Sequence, residues 1–302
     1  MIKATAQSLP QAALIEKSRL SVLSELFKAR LTFLVLVTTL VGFYAGFRGP
    51  MDWVRLLNTM LGTALVAGGA AALNQLLERD LDAKMRRTVG RPLPSGRMQA
   101  GTVLALGGAC SVLGLLQLAV AVNLLTSLLA GLTLVSYLLI YTPLKTVTTL
   151  NTVVGAIPGA LPPLMGWTAA RGEVSTAGWS LFAILFFWQL PHFLAIAWIY
   201  RDDYAHAGFK MLPVLDPKGE RTGPQAVSHT LGLLAVSLAP FVFRLAGPVY
   251  LVGALVLGSM YVWSAIQFSR TLTVARARHL FYTSILYLPL LLGLMALDKV
   301  RN

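Results

Sequence analysis

The chain has 302 residues, 56% of them hydrophobic and only 12% charged, with a mean hydropathy of +0.69. Soluble domains carry about 25% charged residues, so the composition excludes an ordinary soluble enzyme and implies one polytopic membrane bundle in contact with the lipid bilayer. The net charge of +13 would suggest nucleic acid in a soluble protein; here topology explains it first, because Lys and Arg accumulate in cytoplasmic loops, and no nucleic-acid partner is expected.

Residues 1–30 are largely polar and include Lys17, Arg19, Lys28 and Arg30. A cleavable signal peptide would start its apolar core sooner, so this segment reads as a cytoplasmic arm ending in an interfacial helix. Nine apolar runs follow, at about 31–47, 54–77, 100–121, 124–143, 151–170, 178–200, 226–244, 247–268 and 279–297. Each is close to the roughly 20 residues that cross a bilayer. Backbone groups in lipid must bond internally, which predicts an all-α bundle of nine transmembrane helices over 31–302. The single cysteine, Cys110, lies inside the third run, so no intramolecular disulfide can form.

With the N-terminus inside, alternation leaves six of the 25 Lys and Arg outside: Arg48, Arg55, Arg171, Arg244, Lys299 and Arg301. The split fits the positive-inside rule and predicts that the long loops are cytoplasmic; the expected location is a bacterial inner membrane. Two inside loops, about 78–99 and 201–225, are long and charged and lie four spans apart. That spacing suggests a weak internal duplication, spans two to five echoed by six to nine.

The first loop is entered through Asn74-Gln-Leu-Leu-Glu78-Arg-Asp80-Leu-Asp82. Asn74, Glu78 and Asp82 are four residues apart, which on a helix sets all three on one face. Oxygen ligands of this kind suit Mg²⁺, which takes one or two carboxylates and completes its shell with waters and substrate phosphates. Arg79 and Asp80 read as solvated charge. Asn74 lies a turn inside the apolar run, where a polar group is costly and usually functional. Around the acids stand Lys84, Arg86, Arg87, Arg91 and Arg97. Topology explains these bases equally well, yet a metal-bound diphosphate needs both carboxylates and cations. The second loop repeats the pattern with Arg201-Asp202-Asp203-Tyr204 and then Lys210, Lys218 and Arg221. Facing each other across a bundle, the two acid clusters could hold two metals.

Between these loops, Tyr141-Thr-Pro-Leu-Lys145 precedes Asn151 and a segment rich in Gly and Pro up to Pro163. Such density interrupts helices and brings backbones together; transporters use broken helices in the same way. The sixth run holds Phe182, Phe186, Phe187, Trp188, Gln189, Pro191, His192 and Phe193. Pro191 predicts a kink, and Gln189 and His192 should face the interior. Packing accounts for any single Phe, but a ring-lined cavity would suit an isoprenoid chain and could stabilise an allylic cation. His206, His229 and His279 read as interfacial. A transporter or haem carrier would explain the broken helices but not two acid clusters flanked by bases on one face.

Across Asn74–Pro94, Tyr141–Trp167, Trp188–Phe193 and Tyr200–Pro213, the chain resembles the UbiA-type intramembrane prenyltransferases, and within them the haem-farnesylating branch. The likeness runs from about residue 20 to the end. Two departures stand out: Glu78 occupies a position that is Asp in the family, and the fourth residues after Asp202 and Asp203 are His206 and Ala207. The resemblance implies that farnesyl diphosphate, haem B and water give haem O and diphosphate. It implies Mg²⁺ held by Asn74, Glu78 and Asp82, with a second metal on Asp202 or Asp203. It implies Arg86, Arg91, Lys145, Arg201 and Lys210 as contacts for diphosphate or haem propionates, without dividing the five between them. Tyr141, Asn151 and Tyr204 join the expected substrate-binding set. His192 is expected beside the haem, with a hydrogen bond to a neighbouring helix as the alternative. A haem A synthase is the implied partner. The rival acceptor, a quinone precursor or another tetrapyrrole, fits Pro191-His192 and the altered second motif less well.

Overall fold

The computed structural model describes residues 18–300; most of the expected N-terminal arm lies outside them. Among the described residues the regular structure is helical apart from an isolated bridge between Ala246 and Lys299. Nine helices among the described residues are long and apolar enough to cross a membrane: Ala29–Gly46, Trp53–Leu77, Ala100–Ala121, Leu124–Leu144, Asn151–Arg171, Thr176–Ile199, Thr222–Val242, Pro248–Thr271 and Val274–Leu297. They follow the nine apolar runs in order. The largest shift is at the last turn: the eighth and ninth spans are separated by Leu272 and Thr273 alone, so Arg270, Arg276 and Arg278 are helical rather than in a loop. Their long stems let a helix continue while the charge reaches the headgroups.

Spans one to five pack in sequence, and spans six to nine form a second group joined to the first through the fifth and sixth. The fifth span, Asn151–Arg171, is the most enclosed of the nine and remains helical through Pro158, Pro162 and Pro163. Small residues let it touch its neighbours. A Cβ on Gly166 would overlap the Thr39 carbonyl, and one on Gly42 would overlap the Pro163 carbonyl. First and fifth spans therefore meet backbone to backbone, the close approach that membrane helices use where apolar burial gives no driving force. Thr126 and Thr168 hydroxyls, 2.9 Å apart, tie the fourth span to the fifth. In the second group, Tyr287 OH and Ser237 Oγ lie 2.7 Å apart, and Trp188 Nε1 donates to the Ser284 carbonyl at 2.8 Å.

Three local features shape the end of the bundle that carries the acids. The second span stops at Leu77, and a four-residue helix, Arg79–Asp82, follows the Glu78 junction. The expected three-residue stripe is thus bent at Glu78 rather than carried on one straight helix, although Asp82 N still donates to the Glu78 carbonyl at 2.7 Å. The fourth span widens into a π-helical turn over Ser136–Tyr141 just before Pro143, a distortion often found at functional sites. The short helix Arg19–Leu26 is tied to the second span by Gln75 Nε2, which donates to the carbonyls of Glu25 (3.1 Å) and Leu26 (2.7 Å). Lys28, at φ 46°, then turns the chain into the first span.

Because Gly166 abuts a backbone carbonyl rather than a flexible side chain, Gly166→Ala should destabilise the bundle by about 1–3 kcal/mol, the usual cost of overpacking. Unfolding of the detergent-solubilised protein followed by circular dichroism should show the loss. Ala at Gly108, where a Cβ meets nothing within 4 Å, should leave unfolding unchanged.

Candidate active site

A cavity of about 330 Å³ opens where the second, fourth and sixth spans end. Asn74, Glu78 and Asp82 all line it and are all buried, at 1%, 4% and 1% exposure. Each holds one cation. Lys28 Nζ donates to Asn74 Oδ1 at 2.9 Å, Lys145 Nζ to Glu78 Oε1 at 2.7 Å and Arg91 Nη1 to Asp82 Oδ2 at 2.5 Å. Asn74 Nδ2 donates to Thr142 Oγ1 at 3.2 Å, which fixes the amide orientation. The Lys145 ammonium also sits 4.5 Å from the centre of the Tyr141 ring. Burial, with Arg91 and Lys145 nearby, pushes the Lys28 ammonium down to about 7, against the pull of Glu78 and Asp82. Burial likewise raises the Asp82 carboxyl above its usual range, and Arg91 opposes the shift.

The oxygens fit a hard cation. Asp82 Oδ1 is buried without a hydrogen-bond partner among the described residues, an arrangement that normally costs free energy and that a metal would relieve. No group of three His, Cys, Asp or Glu suited to a metal occurs among the described residues. Two carboxylates and one amide leave positions for water and phosphate, as Mg²⁺ requires.

Beyond the charged mouth the walls turn apolar, with Ala67, Ala70, Ala71, Pro158 and Pro162. Glycines make the room. A Cβ on Gly155 would strike the Tyr141 ring, and one on Gly159 would strike the Gln189 amide. Gln189 donates to the Leu185 carbonyl at 2.9 Å and lines the cavity with Phe193.

Of the residues singled out in the sequence, Asn74, Glu78, Asp82, Arg91, Tyr141, Lys145 and Tyr204 meet in this cavity. Others are placed elsewhere. Asp202 and Asp203 line a separate pocket with Lys84, Arg86 and His206, and the Asp202 side chain is fully exposed. The short helix Arg201–Ala207 turns Tyr204 and Ala207, one turn apart, inward against Met85 and Phe209, which points the aspartates away. The two acid clusters therefore do not share one cavity. Arg201 lies over Trp198 at 5.1 Å, outside the site. Asn151 acts through its side-chain amide and Lys210 through its backbone. Asn151 Nδ2 donates to the Lys210 carbonyl at 2.9 Å, and Lys210 N donates to the Lys145 carbonyl at 2.7 Å. Together they position Lys145.

His192 is not among the cavity-lining residues. Its ring stacks between Trp188 and Phe281, each 5.0 Å away, and Nδ1 lies 2.7 Å from Ser284 Oγ. The residue before it, Pro191, does not break the sixth span, and this register gives Gln189 and Phe193 to the cavity and His192 to the ninth span. Lys28 and Tyr137, which have no site role in the sequence-derived set, also line the cavity, as does Arg87 from the basic cluster. Arg87 Nη2 donates to Tyr204 OH at 2.9 Å and stacks on Tyr200 at 5.1 Å, clasping the two long loops together. Lys28 carried one signal, its place as a cation immediately before the first apolar run.

The profile of the UbiA prenyltransferase family matches residues 35–290. This chain belongs to the UbiA prenyltransferase family. Its UbiA-family relatives include the protoheme IX farnesyltransferase of Solibacter usitatus (strain Ellin6076), 49% identical over 91% of this chain and 97% of the relative. The protoheme IX farnesyltransferase of Myxococcus xanthus (strain DK1622) is 42% identical over 99% of both chains. Among solved structures, a digeranylgeranylglyceryl phosphate synthase superposes with a TM-score of 0.80 at 14% identity, covering 94% of this chain and 99% of that one. A UbiA homologue from Archaeoglobus fulgidus, bound to GPP and Mg²⁺, gives 0.64 at 16% identity, over 91% and 99%. These likenesses show the fold: this UbiA-family chain is a multi-pass integral membrane prenyltransferase.

The placement of His192 generates a test. His192→Ala should lower thermal stability, through loss of the Ser284 hydrogen bond and the two ring contacts, while farnesyl diphosphate affinity stays at the wild-type value. Calorimetric titration and thermal unfolding of one preparation measure both.

Proposed function

We propose that this chain transfers the farnesyl group of farnesyl diphosphate to a vinyl group of haem B, giving haem O and diphosphate. We place the reaction in a bacterial inner membrane, with both long loops cytoplasmic, residues 31–302 as the catalytic domain and residues 1–30 as an arm that lends Lys28. One observation carries the reaction class. A single cavity joins paired charges at its mouth to apolar walls below, the shape of a diphosphate followed by an isoprenoid. The protoheme IX farnesyltransferase names of relatives at 42–49% identity support haem as the acceptor, and a haem A synthase would consume the product.

Asn74, Glu78 and Asp82 would hold Mg²⁺, which supplies neutralising charge to the departing diphosphate. Arg91, Lys145 and Lys28 offer N–H donors to phosphate oxygens. In the paired state these cations rest on Asp82, Glu78 and Asn74. Exchanging those partners for phosphate oxygens would keep each buried cation hydrogen-bonded. The allylic C–O bond breaks with its electron pair leaving on diphosphate. The farnesyl cation is captured by the haem vinyl group, water adds to the resulting cation, and its proton leaves to solvent. Tyr137, Tyr141 and Phe193 supply aromatic surface along the wall, which favours a developing cation. Asp202 or Asp203, in the adjoining pocket, would serve only a second metal.

Purified protein incubated with haem B, farnesyl diphosphate and Mg²⁺ should yield a pigment of haem O mass. Asp82→Asn should abolish turnover in protein that still inserts. Glu78→Asp should retain part of the activity, and Glu78→Ala should not. A near wild-type rate for Asp82→Asn at saturating Mg²⁺ would refute the assignment. For orientation, in a Cys110→Ser background, a cysteine at Glu173 should label from the periplasm and one at Lys218 only after permeabilisation. Labelling of both from one side would overturn the topology.

A further inference from the structure

At the end of the bundle opposite the acid cavity, cations from the ends of four spans meet around a second cavity of about 360 Å³: Arg48, Arg171, Arg244 and Lys299. The other described Lys or Arg at that end, Arg55, pairs with Asp52 at 3.5 Å. Membrane topology depletes this face of positive charge, so topology does not explain the convergence. Two of the four cations have partners. Lys299 Nζ caps the end of the first span, donating to the carbonyls of Tyr44 (2.6 Å) and Phe47 (2.9 Å). Arg171 lies over the Trp167 ring and reaches Glu173 at 3.3 Å. The Arg48 and Arg244 guanidinium groups form no hydrogen bond or ion pair among the described residues. Arg244 is held at the cavity by a left-handed backbone, φ 54°, which a non-glycine residue adopts at a cost.

We propose that this pocket binds a phosphate oxyanion, with Arg48 and Arg244 as its direct ligands and Arg171 and Lys299 completing the positive field. Guanidinium groups match phosphate oxygens bidentately. The Arg48 and Arg244 guanidinium groups have no counterion of their own among the described residues, and an oxyanion would relieve the repulsion within the cluster. Two sources share this chemistry, an anionic phospholipid headgroup and free phosphate. Spans of this length end at headgroup depth, and exposed Val242 and Phe243 lie beside Arg244. A bound lipid could lay its chains against such apolar surface.

The full chain in detergent micelles would be titrated with short-chain phosphatidylglycerol and, separately, with inorganic phosphate, reading bound ligand by native mass spectrometry and unfolding temperature. Wild type should retain one phosphatidylglycerol, and Arg48→Ala/Arg244→Ala should bind it about tenfold or more weakly, as expected for lost charge-assisted hydrogen bonds. Arg55→Ala, on the same face, should match wild type. Should the double variant fold poorly, Arg244→Gly removes the guanidinium at a position whose backbone suits glycine, and it should also weaken binding. An effect of phosphatidylglycerol alone assigns the lipid; an equal effect of inorganic phosphate assigns the free ion. Equal binding by wild type and the Arg48/Arg244 variants, or an equal loss in Arg55→Ala, would overturn the site.

Discussion

Charge buried beside a membrane interior must be compensated. A lone carboxylate or ammonium there would cost several kcal/mol, and removing one member of a buried pair leaves the other stranded. The cavity at the end of the second span obeys this constraint twice, through Glu78 with Lys145 and Asp82 with Arg91, while Lys28 has only a hydrogen bond to the neutral Asn74 amide and its ammonium is pushed down to about 7. These contacts link segments far apart in sequence: the arm, the first long loop and the end of the fourth span. Much of the surrounding architecture keeps them in register. Gln75 anchors the arm, Thr142 orients Asn74, Asn151 and the Lys210 backbone hold Lys145, and Arg87 draws the two loops together. In the proposed reaction each of these partners would give way to a metal-bound diphosphate, so the pairing that holds the free protein together would also prepare the site for its ligand.

The apolar half of the cavity has a different origin. Gly155 and Gly159 leave gaps that the Tyr141 ring and the Gln189 amide overhang, and Gly42 and Gly166 bring the first and fifth spans together. Small residues thus do two jobs. They close the bundle where backbones touch, and they let the Tyr141 ring and the Gln189 amide seat themselves at the cavity wall. The fifth span can carry three prolines and remain continuous because it is packed against the first, fourth and sixth spans.

Much of this was legible in the sequence, for identifiable reasons. The nine spans follow from apolar length, a strong local signal, and the ends drift most where arginines ride on helices, as at Arg276 and Arg278. Asn74, Glu78 and Asp82 stood out because an amide a turn inside an apolar run is costly and the four-residue spacing carries across a bend. Lys145 and Tyr141 stood out through a specific motif. Less could be read where the answer depended on helix rotation. Asp202 and Asp203 differ from Tyr204 by one or two steps of about 100°, which separates the outer pocket from the cavity. His192 and Phe193 divide in the same way between the ninth span and the cavity. Lys28 was hidden because a cation before a span has a topological explanation, and only the folded chain brings it to Asn74.

The central claim is that Asn74, Glu78 and Asp82 form the metal and diphosphate end of the cavity. The most direct measurement is a crystal structure with Mn²⁺ and a non-cleavable farnesyl diphosphate analogue, with Mn²⁺ located by anomalous scattering. The account predicts a peak within coordination distance of the Asp82 carboxylate, the diphosphate contacting Lys145 and Arg91, and the isoprenoid running past Ala70 and Pro158. A metal and diphosphate found only in the Asp202–Asp203 pocket, with the Glu78–Lys145 and Asp82–Arg91 pairs intact, would contradict it.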